Sequence, residues 1–303
     1  MSKRLKIEGL QVLVPLPMTP KYEINEEECR KAVDWCVANG AQGIIATGSV
    51  GEFVHLEKKE RFSVMDMILD QVRRHRGVAA VAMTASADTL QTITYTRYAA
   101  DIGYDAAMVV PPYYWKINGR ECYRHYEMIT KAVDIPLIIY HNPGLSKFTI
   151  SPELADKLSG IPGVIGIKET VKDIVHLQRL YELTGNKWII MHTFRTYLYS
   201  LMISATGGMP NIFALPAYVR ITELFKRGEI QKAISIQQVL NNIFPKKIEE
   251  TLGNLGRIKA AASIVSGCQF GPPRPPYEEA NSEQVELIRA SFDRLAKTIE
   301  AGR

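Results

Sequence analysis

The chain has 303 residues, of which 46% are hydrophobic and 23% charged, with a net charge of +5. That balance belongs to an ordinary globular protein with room for one large α/β domain or two smaller ones. Lysines and arginines are scattered among acids, with no basic, aromatic-interleaved stretch, which sets nucleic acid aside as a partner, and no apolar run approaches a membrane span.

In chain order, short apolar runs alternate with longer amphipathic stretches. The opening segment carries the first strand, Leu10–Pro15, and is interrupted by Pro15 and Pro17 without a small-residue cleavage site, so no signal peptide is expected. Asn25 then caps a helical stretch, Glu26–Asn39, that ends before Gly40. Further strands follow at Gly43–Ala46, Gly77–Ala82, Ala106–Val110 and Pro136–Tyr140, then at Val164–Lys168, Trp188–Met191 and Gly207–Met209. Between them Asp88 starts a helix from Thr89, and Ser151 starts Pro152–Leu158 with proline at the first helical position.

Strands each followed by a helix specify an α/β fold, a (β/α)8 TIM barrel over residues 1–227. A doubly wound sheet is the competitor, but no glycine-rich dinucleotide fingerprint follows the first strand. Residues 228–303 show no strand alternation and read as a C-terminal three-helix extension packed on the barrel, around Gln231–Phe244, Gly256–Val265 and Ser282–Ala301. The four cysteines (Cys29, Cys36, Cys122 and Cys268) form neither a disulfide framework nor a metal-ligand spacing. A reduced, cytoplasmic chain without a metal is the expectation.

In such barrels chemistry collects where strands end. Gly163–Lys168 is apolar until its last residue, a lysine. Desolvation lowers the pKa of an ammonium and frees a nucleophilic amine that attacks carbonyls to form a Schiff base. The competing reading makes Lys168 the first loop residue, paired with Glu169 in water. Tyr140 ends the fifth strand, where a phenol serves either as a proton shuttle or as a satisfied structural group. The turn Gly48-Ser49-Val50-Gly51 after the second strand offers backbone N–H groups and a hydroxyl to a small carboxylate, or is a plain glycine turn.

Gly48-Ser49-Val50-Gly51-Glu52, Pro111-Pro112-Tyr113-Tyr114, Tyr140 and Gly166-Ile167-Lys168-Glu169 stand in the order of the dihydrodipicolinate synthase / N-acetylneuraminate lyase superfamily, which the chain resembles over nearly its whole length. The resemblance implies a class I lyase in which Lys168 condenses with pyruvate or another 2-oxo acid, with no cofactor. Tyr140 would be the acid/base group, linked to Ser49 and to Tyr114. A residue matching Tyr114 commonly reaches in from a neighbouring subunit, which implies a homotetramer built as a dimer of dimers.

Departures from the family pattern bear on the substrate. Val50 replaces a hydroxyl donor, and Leu145 stands where true dihydrodipicolinate synthases carry an arginine that grips the second substrate, so lysine biosynthesis is disfavoured. Gly48, Val50, His192, Arg195 and Met209 are candidates to line the substrate pocket. His192 is a second proton donor or a packed strand-end histidine, Arg195 holds a remote carboxylate or lies in solvent, and Lys147 is a further candidate. Aldol cleavage or condensation with an aldehyde leads. Dehydration of a 2-oxo-3-deoxy sugar acid, hydratase-aldolase chemistry on benzylidenepyruvates and a non-enzymatic 2-oxo acid sensor are the alternatives.

Overall fold

The structure is a computed structural model that describes residues 4–302. Eight strands form one closed barrel in sequence order. They are β1 (Gly9–Leu13), β2 (Gly43–Ala46), β3 (Ala79–Met83), β4 (Ala106–Val109), β5 (Leu137–His141), β6 (Val164–Glu169), β7 (Ile189–His192) and β8 (Gly207–Gly208). The helices before β5 are α1 (Glu26–Ala38), α2 (Lys58–Arg73), α3 (Thr89–Ile102) and α4 (Gly119–Ala132). Then come α5 (Pro143–Ser146), α6 (Pro152–Ser159), α7 (Ile174–Thr184), α8 (Tyr197–Met202) and α9 (Leu215–Lys226). Beyond Arg227 lie α10 (Ile230–Asn241), α11 (Lys246–Thr251), α12 (Asn254–Ser266) and α13 (Ser282–Ala301). The (β/α)8 barrel and its helical extension are those expected from the sequence, with α5 and α11 as short additions. No described helix is long and apolar enough to cross a membrane.

Local signals explain where the helices begin. The side chains of Asn25, Asp88 and Ser151 accept backbone N–H bonds from the first turns of α1, α3 and α6, which satisfies donors that a helix start leaves orphaned. Gly103 ends α3 in the left-handed region at φ 101°, a conformation glycine adopts without a Cβ clash.

Two compact units divide the chain. The first joins the segment up to Gln11 with Ala79–Met209. Its strands are nearly all buried, Val, Ile, Leu, Met and Ala dominating β3 to β7, as expected where a parallel sheet is covered on both faces. Two glycines permit its strand pairing. A Cβ on Gly166 would lie 2.2 Å from the Ile189 carbonyl oxygen, and one on Gly207 would lie 2.0 Å from that of Gly9. These positions pair β6 with β7 and β8 with β1.

The second unit joins Val12–Val78 with the chain from Pro210 onward, so α9 and the helices beyond it share a unit with β2, α1 and α2. Phe213, Phe244 and Phe292 meet edge to face at 5.5, 5.7 and 6.3 Å between ring centroids, tying the entry to α9 to α13 and to the segment after α10.

Candidate active site

β5 and β6 pair in register, Tyr140 opposite Lys168 and His141 opposite Glu169. β6 and β7 continue the pattern, Lys168 opposite Met191 and Glu169 opposite His192. Successive side chains on a strand point to opposite faces. Tyr140, Lys168 and Met191 therefore share one face, and His141, Glu169 and His192 share the other.

On the first face the lysine amine sits against the phenol. Lys168 is 2% exposed, and its Nζ lies 3.9 Å from the centre of the Tyr140 ring. Among the described residues no carboxylate pairs with that amine. Burial drives its pKa below the ordinary lysine value, against an opposing pull from Tyr140. The reading in which Lys168 pairs with Glu169 in water is thus corrected: the amine is buried, and Glu169 is engaged elsewhere. The Tyr140 hydroxyl accepts a hydrogen bond of 2.8 Å from Nδ2 of Asn142. Asn142 occupies the cap position of α5 yet makes no side-chain capping bond there, because its amide is turned to the phenol.

The opposite face is a buried polar knot. The Glu169 carboxylate takes the Thr170 and Val171 N–H groups at 2.7 Å each on Oε1. Its Oε2 lies 2.8 Å from His141 Nδ1 and 3.3 Å from Nε2 of His176 on α7. Burial pushes its pKa up, but the bonds to the two histidines and the Val171 N–H outweigh that and hold it at about 2, so the group is ionised. His192 is fully buried, and neither ring nitrogen finds a hydrogen bond among the described residues. Burial lowers its pKa to about 4, with Glu169 pulling upward and His176 downward.

His141, Glu169 and His176 bring three possible ligand atoms within 4.8 Å of one another. The hydrogen bonds argue against a metal there. His141 Nε2 accepts the Ile150 N–H at 2.9 Å, so the ring proton resides on Nδ1 and donates to Glu169. Metal-bound histidines instead use the second nitrogen as an N–H donor, and a backbone N–H at that place cannot accept it.

In the second unit, the turn after β2 is a short 3-10 segment, Ser49–Gly51, bracketed by Thr47 and Glu52 at φ 51° and 56°. Left-handed conformations of non-glycine residues are uncommon and cluster at functional sites. Gly48 precedes it, with room for a Cβ only 3.0 Å from a Leu13 methyl. The Ser49 hydroxyl is buried and without a hydrogen-bond partner among the described residues, and Val50 is buried. Glu52 is fully buried and pairs with Lys259 of α12 at 2.7 Å, while its Oε2 accepts the Arg274 N–H at 3.0 Å and lies 3.1 Å from His55 Nδ1. Lys259 also donates to the Pro272 carbonyl at 2.9 Å.

Tyr114 is 80% exposed, at φ 80°, its ring edge to face with Trp115 at 5.4 Å. Arg195 is exposed in the turn Phe194–Thr196, and Met209 is buried. Lys147 caps α5 at φ 58° with its amine on the Gly144 carbonyl, and Leu145 is 52% exposed. Sequence reasoning missed the donation from Asn142 and the knot around Glu169. The spacing of Tyr140 and Asn142, two apart and so on one face of an extended chain, was the available signal for the first.

A closed (β/α)8 barrel with a buried lysine and a tyrosine side by side near the ends of adjacent strands suits the chemistry of class I lysine Schiff-base aldolases and lyases. The family model for the dihydrodipicolinate synthetase family matches residues 6–294, and the chain belongs to that family. It is an enzyme of the class I lysine Schiff-base aldolases and lyases. It is 30% identical over 304 residues to the 4-hydroxy-tetrahydrodipicolinate synthase of Methanopyrus kandleri, covering 98% of this chain and 99% of that one. Among solved structures it is similar to the chloride-inhibited dihydrodipicolinate synthase from Acinetobacter baumannii complexed with pyruvate, with a TM-score of 0.87, 25% identity and coverage of 96% and 99%. A catalytic-lysine mutant of the Ruminococcus gnavus sialic acid aldolase shares the fold, with a TM-score of 0.88, 20% identity and 98% of each chain covered.

Proposed function

We propose that Lys168 captures the keto group of pyruvate or a close 2-oxo acid, and that Tyr140 moves the protons this requires. The observation that carries the reading is the Lys168 amine, buried, without a carboxylate partner among the described residues and 3.9 Å from the Tyr140 ring. The neutral amine forms a bond to the keto carbon while the carbonyl oxygen takes up a proton from the phenol, and the nitrogen, now cationic, returns one of its protons to the phenolate. A second protonation of the same oxygen by the phenol releases it as water and leaves a protonated imine. Loss of a proton from the adjacent carbon sends its electron pair toward the imine nitrogen and yields an enamine. That carbon then bonds to an aldehyde carbonyl, or the reverse step breaks the same bond. Asn142, donating to the phenol oxygen, favours the phenolate once the hydroxyl proton has been given away.

By the resemblance of its motif, the turn Gly48–Val50 is assigned the substrate carboxylate, with the Ser49 hydroxyl, which has no hydrogen-bond partner among the described residues, as its side-chain donor. Tyr114, exposed within one chain, is assigned to complete the proton relay in a neighbouring copy, in a homotetramer built as a dimer of dimers. Arg195 is the candidate for a distal carboxylate of the acceptor. His192 is left out of the substrate set, because it shares the face of Glu169 rather than that of Lys168. Leu145 cannot supply a bidentate grip, which favours an acceptor other than the one the synthases use.

Borohydride reduction in the presence of pyruvate, followed by peptide mass mapping, tests the reading. A reduced pyruvyl adduct on Lys168 is expected. An adduct elsewhere, or none, contradicts it.

A further inference from the structure

We infer that Glu169 is a positioning residue whose buried carboxylate clamps Tyr140 against Lys168 from the reverse face of the sheet. The inference rests on the assignment of those two residues to the chemistry and deepens it.

Each reacting residue is followed by a member of the clamp. Tyr140 precedes His141, Lys168 precedes Glu169, and the two followers are register partners joined at 2.8 Å. A second bond runs alongside, from the Thr170 hydroxyl to the His141 carbonyl at 2.8 Å. The strand pairing itself is irregular lower down, where the register shifts between Leu137 and Ile138. Register next to a bulge needs other means of fixing, and a one-residue slip would turn every side chain to the other face. The clamp supplies that means three residues above the irregularity, directly beside the reacting pair.

The donor and acceptor pattern is fully determined. His141 Nε2 accepts from the Ile150 N–H, so Nδ1 must donate, and only an acceptor at Glu169 Oε2 fits it. Oε1 is saturated by the N–H groups of Thr170 and Val171, which hold the chain just past Lys168. A glutamine at position 169 keeps the second arrangement but turns an NH2 group toward the His141 N–H. The histidine cannot escape by changing tautomer, because its other nitrogen would then place a proton against the Ile150 N–H. An asparagine at position 141 can present either its NH2 or its oxygen, and so matches glutamate and glutamine alike.

That asymmetry gives the test. The full-length protein and the variants Glu169→Gln, His141→Asn and the double variant are compared in two pyruvate-only assays. One is the amount of borohydride-trapped adduct at saturating pyruvate, and the other is the rate of deuterium exchange at the pyruvate methyl. Glu169→Gln is expected to slow exchange about tenfold or more, the scale of a misplaced reacting group, while adduct at saturation changes little. The double variant is expected to exchange within about threefold of His141→Asn alone, a rescue that general destabilisation does not produce. Exchange by Glu169→Gln within about twofold of wild type, or a double variant whose losses simply multiply, overturns the clamp. If Glu169→Gln does not fold, Thr170→Val removes the parallel bond and is expected to slow exchange about threefold, and an unaltered rate overturns the inference. Failure of the wild-type protein itself to form an adduct on Lys168 removes the assignment beneath the inference, and is distinguished by its appearance before any variant is compared.

Discussion

Lys168 and Lys259 are equally buried, each 2% exposed, and burial lowers the pKa of both. Their surroundings differ. Lys259 has the Glu52 carboxylate at 2.7 Å and the Pro272 carbonyl at 2.9 Å. Lys168 has the face of a phenol and, among the described residues, no carboxylate. A paired buried ammonium is kept charged by its partner and fixes the loop that supplies the partner. An unpaired one is pushed toward the free amine, which is a nucleophile. Burial alone does not make a lysine reactive; the missing counter-ion does.

Substituting the two lysines separately sharpens that contrast. Lys168→Met is expected to remove turnover and adduct together, a loss on the order of a million-fold where a nucleophile is deleted, without lowering the melting temperature, since an unpaired buried amine gives way to an apolar side chain. Lys259→Met is expected to cost about 3–5 kcal/mol of stability, because it leaves the Glu52 carboxylate buried without its cation, while protein that remains folded still forms the pyruvate adduct. Calorimetry and adduct mapping on the same pair of variants check both. Equal loss of adduct in the two would break the comparison.

Tyr140→Phe follows in size. Exchange at the pyruvate methyl is expected to fall by about 10²- to 10⁴-fold, the usual contribution of a positioned acid/base group, with adduct at saturation far less affected. The phenol raises the pKa of Lys168, so its removal is also expected to move the pH midpoint of adduct formation downward.

The smallest expected effect concerns His192. Its folded pKa of about 4 lies below the ordinary 6.5, so between those values the unfolded chain binds the extra proton. Stability from this source is whole above 6.5 and is lost as pH falls toward 4, to a full extent of about 3 kcal/mol. His192→Leu is expected to raise the melting temperature and to flatten its dependence on pH across that window. A slope as steep as that of the wild type would assign the pH effect to another group.

Much of the barrel is legible before any coordinates. The capping residues Asn25, Asp88 and Ser151 mark helix starts directly, and the β-branched runs of β5 and β6 stand out because both faces of a parallel sheet are covered. The first strand is observed at Gly9–Leu13 rather than Leu10–Pro15, since proline has no N–H to give to a ladder. The short α5 and α11 each begin beside a proline, in stretches too brief for periodicity to declare. Lys168 is legible from its position alone. The knot behind it is not, because Glu169 beside Lys168 reads as a local ion pair until alternation places the two on opposite faces. Glu52 is likewise readable as part of a glycine turn, whereas its partner Lys259 is more than two hundred residues away in sequence.

The pH dependence of the pyruvate trapping rate, with the adduct mapped to its residue, tests most directly whether an amine without a counter-ion is what makes this protein reactive. The account requires the adduct on Lys168 and a midpoint below the ordinary lysine value of 10.5. A midpoint at or above that value, or an adduct on Lys259 or any other lysine, would contradict it.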